Sequence, residues 1–391
     1  MSAGVLRTGE ERVPAAVRPW LAIDPLLMLA ALGLVGCSLV TLRGVAGHYY
    51  FLHQAAFACL GLVCALVVAR IDYSRLREYR FVLYGLLIAI NLLVYAMPAR
   101  LNAHRWIPLP FLEFQPSEFG KLLLILSLAA FGVSRGRVPD ERRATARIML
   151  LALIGAMIVI KQPDMGTGLV YICIGASVLY FGGTSWKYLT ALAVMFVLAI
   201  AVVVAVAPAF GVHVLQSYQS QRLTSFLHQT NNCPQSDQTC YQLQQSVIAI
   251  GSGQKTGLGV AGATQARLNF LPEAQNDFVF AFLAEAYGFL GAAVVLSLYA
   301  MLIWRTLRII TMSKNLFGSL IAGGILAMLM FQVFVNVGMT IGIMPVTGVP
   351  LPLLSYGGSS VLVTFLAVGL LQSIHVQARI SSAGKARVLI S

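Results

Sequence analysis

Four groups of residues have the types and spacing that chemistry requires. The first is Arg105-Trp106, followed by Pro116-Ser117-Glu118 and then Lys121. Glu118 and Lys121 are three apart, so they share a helical face, and both fall in the first turn of an apolar run. Such a pair is either a structural ion pair at a helix end or the wall of a charged pocket. Arg105 and Trp106 read equally as an interfacial anchor and as a phosphate grip beside a sugar-stacking ring. Ser117, after Pro116, is expected to N-cap the helix. The second group is Lys161-Gln162-Pro163-Asp164, then Gly166 and Gly168. Its turn can bare backbone N–H groups, although Asp164 reads first as the cap of the next helix.

The third group pairs a glycine cluster with acids. Gly251-Ser252-Gly253, Gly257 and Gly259 imply backbone held close to something, a phosphate being one option. Glu273 and Asp277 follow, where a polar loop enters an apolar helix. A carboxylate half-buried there suits a base whose proton affinity is tuned by its surroundings; its bland alternative is an N-cap. Glu285 lies eight residues further, about 12 Å deeper along the helix. The fourth group is Gln332, Asn336 and Thr340, four apart on one face, leading to Ser355-Tyr356-Gly357-Gly358-Ser359-Ser360. The stripe reads as interhelical hydrogen bonding. The irregular stretch after it is tolerated at membrane depth only inside protein or beside a cavity.

The elements that hold these residues are membrane helices. Of 391 residues, 58% are hydrophobic and only 10% charged, against about 25% charged in soluble domains. A soluble enzyme, a disordered chain and an alternating outer-membrane barrel are excluded. Apolar runs near 25–42, 51–69, 81–98, 117–134, 148–162, 166–183, 188–208, 277–304, 315–340 and 356–375 imply an all-α polytopic protein of ten spans. The first is read as a retained helix, not a cleaved signal. Most of the 27 Lys and Arg fall on the segments that an N-in, C-in topology puts inside. Only Arg43, Arg100, Arg105, Lys121, Lys161, Arg222, Lys255 and Arg267 fall outside. The net charge of +13 therefore speaks of orientation and anionic lipid, with no nucleic-acid partner implied. Residues 1–20 and 379–391 read as cytoplasmic tails around a membrane domain at 21–378. The long segment at about 209–276 is outside and is expected to be functional. Within it, Cys233 and Cys240 form either a disulfide on the oxidising face or two free thiols. No zinc spacing, P-loop, dinucleotide fingerprint or nucleophile elbow occurs, so hydrolase triads and nucleotide-driven pumps lack support.

From residue 20 to 378 the chain resembles the SEDS family of RodA, FtsW and the sporulation protein SpoVE. The resemblance rests on Arg105-Trp106-Ile107, Gln115-Pro116-Ser117-Glu118 with Lys121, Gln162-Pro163-Asp164-Met165-Gly166-Thr167, Gly251-Ser252-Gly253, and Leu271-Pro272-Glu273 with Asp277-Phe278. Asn336 to Thr340, Pro350-Leu351-Pro352 and Leu354 to Ser360 complete it. Met339-Thr340-Ile341 and Met344 to Pro352 are similar to the RodA branch. Two positions depart from the family pattern: Gln275-Asn276 stands where His-Thr is usual, and Glu285-Ala286 where a Glu pair is usual.

The resemblance implies a peptidoglycan glycosyltransferase of the bacterial cytoplasmic membrane, its active site facing outward. It implies a large outer loop between spans seven and eight, lipid II and the nascent glycan strand as substrates, and a class B penicillin-binding protein as partner. Asp277 matches the family's catalytic Asp and is the expected general base. Arg105, Trp106, Glu118, Lys121, Lys161, Asp164, Ser355, Tyr356 and Gly357 are expected to bind substrate or pyrophosphate. Gly251, Ser252, Gly253, Glu273, Glu285, Asn336 and Thr340 are expected to support the site. A divalent cation, Mg or Mn, would find its ligands among Glu118, Asp164 and Asp277. The rivals are a lipid II flippase, which ten spans with intramembrane charge also fit, a scaffold, and an FtsW- or SpoVE-type division or sporulation role.

Overall fold

The structure is a computed structural model. It describes residues 23–45, 47–97, 106–108, 113–134, 141–203, 222, 238–267, 270–271 and 275–388. Ten apolar helices form it: α1 (Pro25–Val45), α2 (Gly47–Val68), α3 (Arg80–Leu93), α4 (Pro116–Val133), α5 (Glu141–Lys161), α6 (Met165–Phe181), α7 (Trp186–Ala201), α9 (Val279–Met312), α10 (Leu316–Thr340) and α11 (Gly358–Val388). Among the described residues eight stretches are long and apolar enough to cross a membrane, the third being Tyr73–Ala96, in which 3₁₀ turns extend α3; α6 and α7 fall short of that length. Each matches one expected span. The 3₁₀ turn Tyr73–Tyr79 leads into α3, and a small antiparallel pair, β1 (Ile107–Pro108) with β2 (Glu113–Phe114), precedes α4. The segment expected to be one loop holds its own helix, α8 (Gln238–Gly253), and two four-residue helical turns.

Burial ranks the helices. α4, α10 and α11 are the inner ones, with 78%, 67% and 94% of their apolar windows buried, while α7 has no buried residue. Buried helices need close approach, and small residues permit it. Along α2 the buried positions are Gln54, Ala58, Gly61 and Ala65, a stripe at helical spacing. It lies against α11: a Cβ on Gly61 would meet Phe365 at 2.6 Å, and one on Gly369 would meet the Ala65 carbonyl at 2.7 Å.

α9 is broken. Gly288 adopts φ 62, ψ −162 inside it, a left-handed φ that glycine alone takes readily. The break strands N–H groups that would otherwise bond four residues back. Phe289 N–H donates to the Gln254 carbonyl at 2.9 Å and Leu290 N–H to that of Lys255 at 3.2 Å. The turn after α8 thus completes the hydrogen bonding of α9.

Candidate active site

The polar groups gather at one end of the bundle, where α4, α6, α9 and α11 begin and α10 ends. α4 starts with Pro116 after the N-cap Gln115, whose side chain makes no cap bond. The expectation that Ser117 is the cap is therefore corrected: proline preferentially takes the first helical position, moving Ser117 one residue inside. Its hydroxyl is then free to donate to Asp164 Oδ2 at 3.0 Å. Gln115 Nε2 reaches the same oxygen at 3.4 Å, and Asp164 Oδ1 accepts from Thr167 N–H at 3.2 Å, capping α6. One carboxylate therefore ties two helix starts together. One turn deeper, Glu118 and Lys121 form an ion pair of 2.6 Å, both almost wholly buried. Tyr171 of α6 packs against Gly120 and donates to the Ser117 carbonyl at 3.0 Å.

Asp277 does not cap α9. The cap position is Phe278, and Asp277 sits half-buried in the turn before it. Asn336 of α10 holds that turn: its Nδ2 donates to the Asp277 carbonyl at 2.9 Å and to the Val349 carbonyl at 2.8 Å. The Asp277 carboxylate faces Gly348, whose φ is 72; a Cβ there would lie 3.4 Å from Oδ2 and 3.7 Å from Nη1 of Arg222. Arg222 also donates to the Thr347 carbonyl at 3.2 Å. Glycine at 348 thus keeps open the space that the carboxylate and a guanidinium share. On the neighbouring helix Gly166 packs against Thr347 and Val349, so Asp164 and Asp277 flank one loop segment.

That loop, 341–357, has irregular backbone, and side chains satisfy it as burial requires. Ser38 donates to the Leu354 carbonyl at 2.7 Å, Tyr299 to that of Pro352 at 2.7 Å and Gln54 to that of Ser355 at 3.1 Å. The Ser355 hydroxyl accepts from Leu351 N–H at 2.9 Å, so this buried serine serves the loop itself. Tyr356 N–H donates to the Gln275 carbonyl at 2.9 Å, two residues from Asp277, and its ring meets Tyr50 edge-on at 4.8 Å. Gly357 N–H reaches Gln54 Oε1 at 3.4 Å. Ser359 bonds both Glu113 and Gln115, pinning the β1–β2 pair to the start of α11.

Not every expected site residue joins this cluster. Trp106 is half-buried before β1, and Lys161 is exposed at the end of α5 with no ion pair among the described residues. Arg105 and Glu273 lie outside the described residues. The close approach that Gly253 and Gly257 permit is to the backbone of Ala284 and Ala286, which fills the place suggested for a phosphate. Gly251 faces open space, and Ser252 donates to the Ala249 carbonyl at 2.8 Å within α8. Glu285 is fully buried and accepts from Gln265 N–H at 3.0 Å. The Thr340 hydroxyl bonds Val337 in its own helix, while its carbonyl accepts from Ser246 of α8 at 2.8 Å. Cys240 is disulfide-bonded; Cys233 lies outside the described residues.

Nor do the candidate metal ligands fit a cation. Among the described residues no group of three or more His, Cys, Asp or Glu could hold one. Glu118 is tied to Lys121, Asp164 caps α6, and Asp277 stands apart on its own turn. Arg222, by contrast, was not singled out from sequence. No motif surrounds it, and only the fold brings it to Gly348.

Apolar helices around this carboxylate-bearing loop cluster define a multi-pass membrane protein with a polar site at one end of its bundle. Residues 19–380 match the family model FTSW_RODA_SPOVE, described as cell cycle protein, and the chain belongs to that family. It is 35% identical over 365 residues to the peptidoglycan glycosyltransferase MrdB of Escherichia coli K12, covering 92% of this chain and 95% of that one. A chain in a solved peptidoglycan synthase complex that coordinates polymerization and crosslinking is 31% identical, with a TM-score of 0.78 over 92% of this chain and 99% of that one. The rod shape determining protein RodA of Thermus thermophilus is 29% identical, with a TM-score of 0.67 over 92% and 98%.

Proposed function

We propose that this chain is a peptidoglycan glycosyltransferase that polymerises lipid II for cell elongation, with Asp277 as its general base. The observation that carries the proposal is the setting of Asp277. It is a half-buried carboxylate on a turn pinned by Asn336, facing a space that Gly348 leaves open and Arg222 lines. A base must be fixed yet reachable, and this one is both.

In the reaction an acceptor sugar hydroxyl loses its proton to Asp277. The oxygen attacks the donor's anomeric carbon as the bond to the pyrophosphate oxygen breaks. Undecaprenyl pyrophosphate leaves with the electron pair, and the α linkage inverts to β with no covalent intermediate. Arg222 is the cation placed to meet the negative charge that develops. Lys121 and Glu118, buried as a pair, act as the frame of the pocket wall, with Asp164 joining that frame to α6. Ser355, Tyr356 and Gly357 keep the roof of the site in register with Gln275 and Gln54. The lipid tails need an apolar path. A cavity of about 440 Å³ between α2, α3, α4 and α11 offers one, lined by Ile90, Phe114, Phe119, Leu122, Leu366 and Leu370 among others.

The topology in this reading is N-in and C-in, the site faces outward across the cytoplasmic membrane, and the partner is a class B penicillin-binding protein. The test is a polymerisation assay with the purified chain, its partner, lipid II and a transpeptidation blocker, read as glycan strands on a gel. Wild type should give strands. Asp277→Ala should give none while still co-purifying with the partner. Full-length strands from Asp277→Ala would sink the assignment. Failure of the wild type to polymerise would favour a flippase.

A further inference from the structure

A second polar cluster lies at the other end of the bundle, where α9 and α11 finish, roughly 39 Å along α9 from its start. Arg305 and Arg308 are three apart on α9; Gln372, His375 and Arg379 share a face of α11. Asp24 enters from the start of α1. Its carboxylate is fully used: Oδ1 accepts from the N–H groups of Leu26 and Leu27 at 3.1 and 3.2 Å, and Oδ2 accepts from Arg305 Nε at 2.8 Å and from Nη2. Gln372 binds the Asp24 backbone through both its amide nitrogen and its oxygen, at 2.9 and 2.8 Å.

Two parts of this cluster are left over. His375 is 1% exposed, yet neither ring nitrogen has a hydrogen-bond partner, which is rare for a buried polar group. Arg308 and Arg379 are exposed, and neither guanidinium has an ion pair among the described residues. Asp24, Arg305, Arg308 and Arg379 are the charged groups near enough to act electrostatically on His375. Arg305 is paired with Asp24, which leaves Arg308 and Arg379 as the two cations near the ring that have no ion pair among the described residues. Trp304, Leu307 and Ile380 beside them are exposed large apolar side chains.

We propose that this cluster binds the phosphodiester headgroup of an anionic phospholipid. Arg308 and Arg379 take the phosphate oxygens, the buried His375 ring beneath them turns its unused N–H up to the headgroup as it binds, and Trp304, Leu307 and Ile380 lie against the acyl chains. The apolar rim is what selects a lipid over free phosphate, which has no use for it. A basic pocket between helix ends at the membrane surface is the setting in which such headgroups are held.

The test is native mass spectrometry of the full chain from detergent, titrated separately with dioleoylphosphatidylglycerol, dioleoylphosphatidylcholine and inorganic phosphate. The first phosphatidylglycerol should bind about 30-fold tighter than phosphatidylcholine, the scale expected for two basic side chains at a lipid surface. Arg308→Gln with Arg379→Gln should bring the two lipids to parity, and His375→Leu should weaken the preference. Arg142→Gln with Arg143→Gln, which removes as much charge elsewhere at this end, should leave it intact. Three results would each overturn the proposal: the preference surviving in the first pair, an equal loss in the control pair, or displacement of the lipid by inorganic phosphate.

Discussion

The amide of Asn336 holds the backbone of Asp277 and the backbone of Val349 at once, at 2.9 and 2.8 Å. The turn that bears Asp277 and the loop across from it are therefore set by one side chain on a third element, α10. Asn336→Ala leaves two carbonyls without that donor, at about 1–3 kcal/mol for each that burial isolates. Polymerisation should fall at least in proportion to the loss of the fixed turn. Asn336→Asp should be worse, since it sets carboxylate oxygens against two carbonyl oxygens. A gel of glycan strands beside a thermal melt reads both effects. Wild-type activity in Asn336→Asp would show that the clamp is idle.

The Glu118–Lys121 pair can be separated into frame and chemistry. Both partners are buried, so removing one strands the other's charge, at about 3–5 kcal/mol. Glu118→Gln and Lys121→Met should each lower the melting temperature and expression sharply. Glu118→Leu combined with Lys121→Met removes both charges and should recover much of the stability. As the frame of the pocket wall, they should leave the recovered double variant with polymerisation that follows its stability. A double variant that is stable yet inactive would show instead that the charge of the pair acts on substrate.

The ten apolar runs were legible because lipid forces long apolar stretches, and each coincides with a helix among the described residues. The start of α5 was not, since residues 141–147 hold Glu141, Arg142, Arg143 and Arg147 and lack the apolarity that marked the rest. α8 was hidden for a related reason: it packs through Cys240, Leu243, Ser246, Ala249 and Gly253, an amphipathic spacing too short to stand out in a polar segment. The types of the site residues were readable, but not their partners. Ser117 was legible as a polar residue at a helix start, yet Pro116 displaced it from the cap and gave it to Asp164. Asn336 was visible as a buried amide, but its targets depend on how loop 341–357 folds back. Arg222 carried no local signal at all.

The glycines after α8 make a sharper contrast. Gly253 approaches the Ala284 carbonyl so closely that a Cβ would sit 1.9 Å from its oxygen, and at Gly257, φ 83, one would sit 2.3 Å from that of Ala286. Neither neighbour is a flexible side-chain tip, so Gly253→Ala and Gly257→Ala should disrupt the α8–α9 contact, costing several kcal/mol as strained or overpacked sites do, about 1–3 or more. Gly251 meets nothing within 4 Å and is helical, so Gly251→Ala should be neutral or stabilising by up to about 1 kcal/mol. Melting curves of the three variants rank them. If Gly251→Ala keeps its stability but loses polymerisation, the open face of α8 contacts substrate or partner directly.

Asp164 separates charge from hydrogen bonding. Oδ1 caps α6 through Thr167 N–H, and Oδ2 receives Ser117 and Gln115. Asp164→Asn keeps an oxygen for the cap and an amide that the Ser117 hydroxyl can turn to accept, so the cost should be under about 1 kcal/mol. Asp164→Ala loses the cap and isolates the Ser117 hydroxyl, so it should cost about 2–3 kcal/mol by the same scales. If Asp164 only joins α4 to α6, polymerisation should follow stability, with Asp164→Asn near wild type and Asp164→Ala low. If its charge acts on substrate, Asp164→Asn should be as inactive as Asp164→Ala while melting like the wild type. The frame role assigned to it above predicts the first pattern, and strand yield plotted against melting temperature for the two variants distinguishes them.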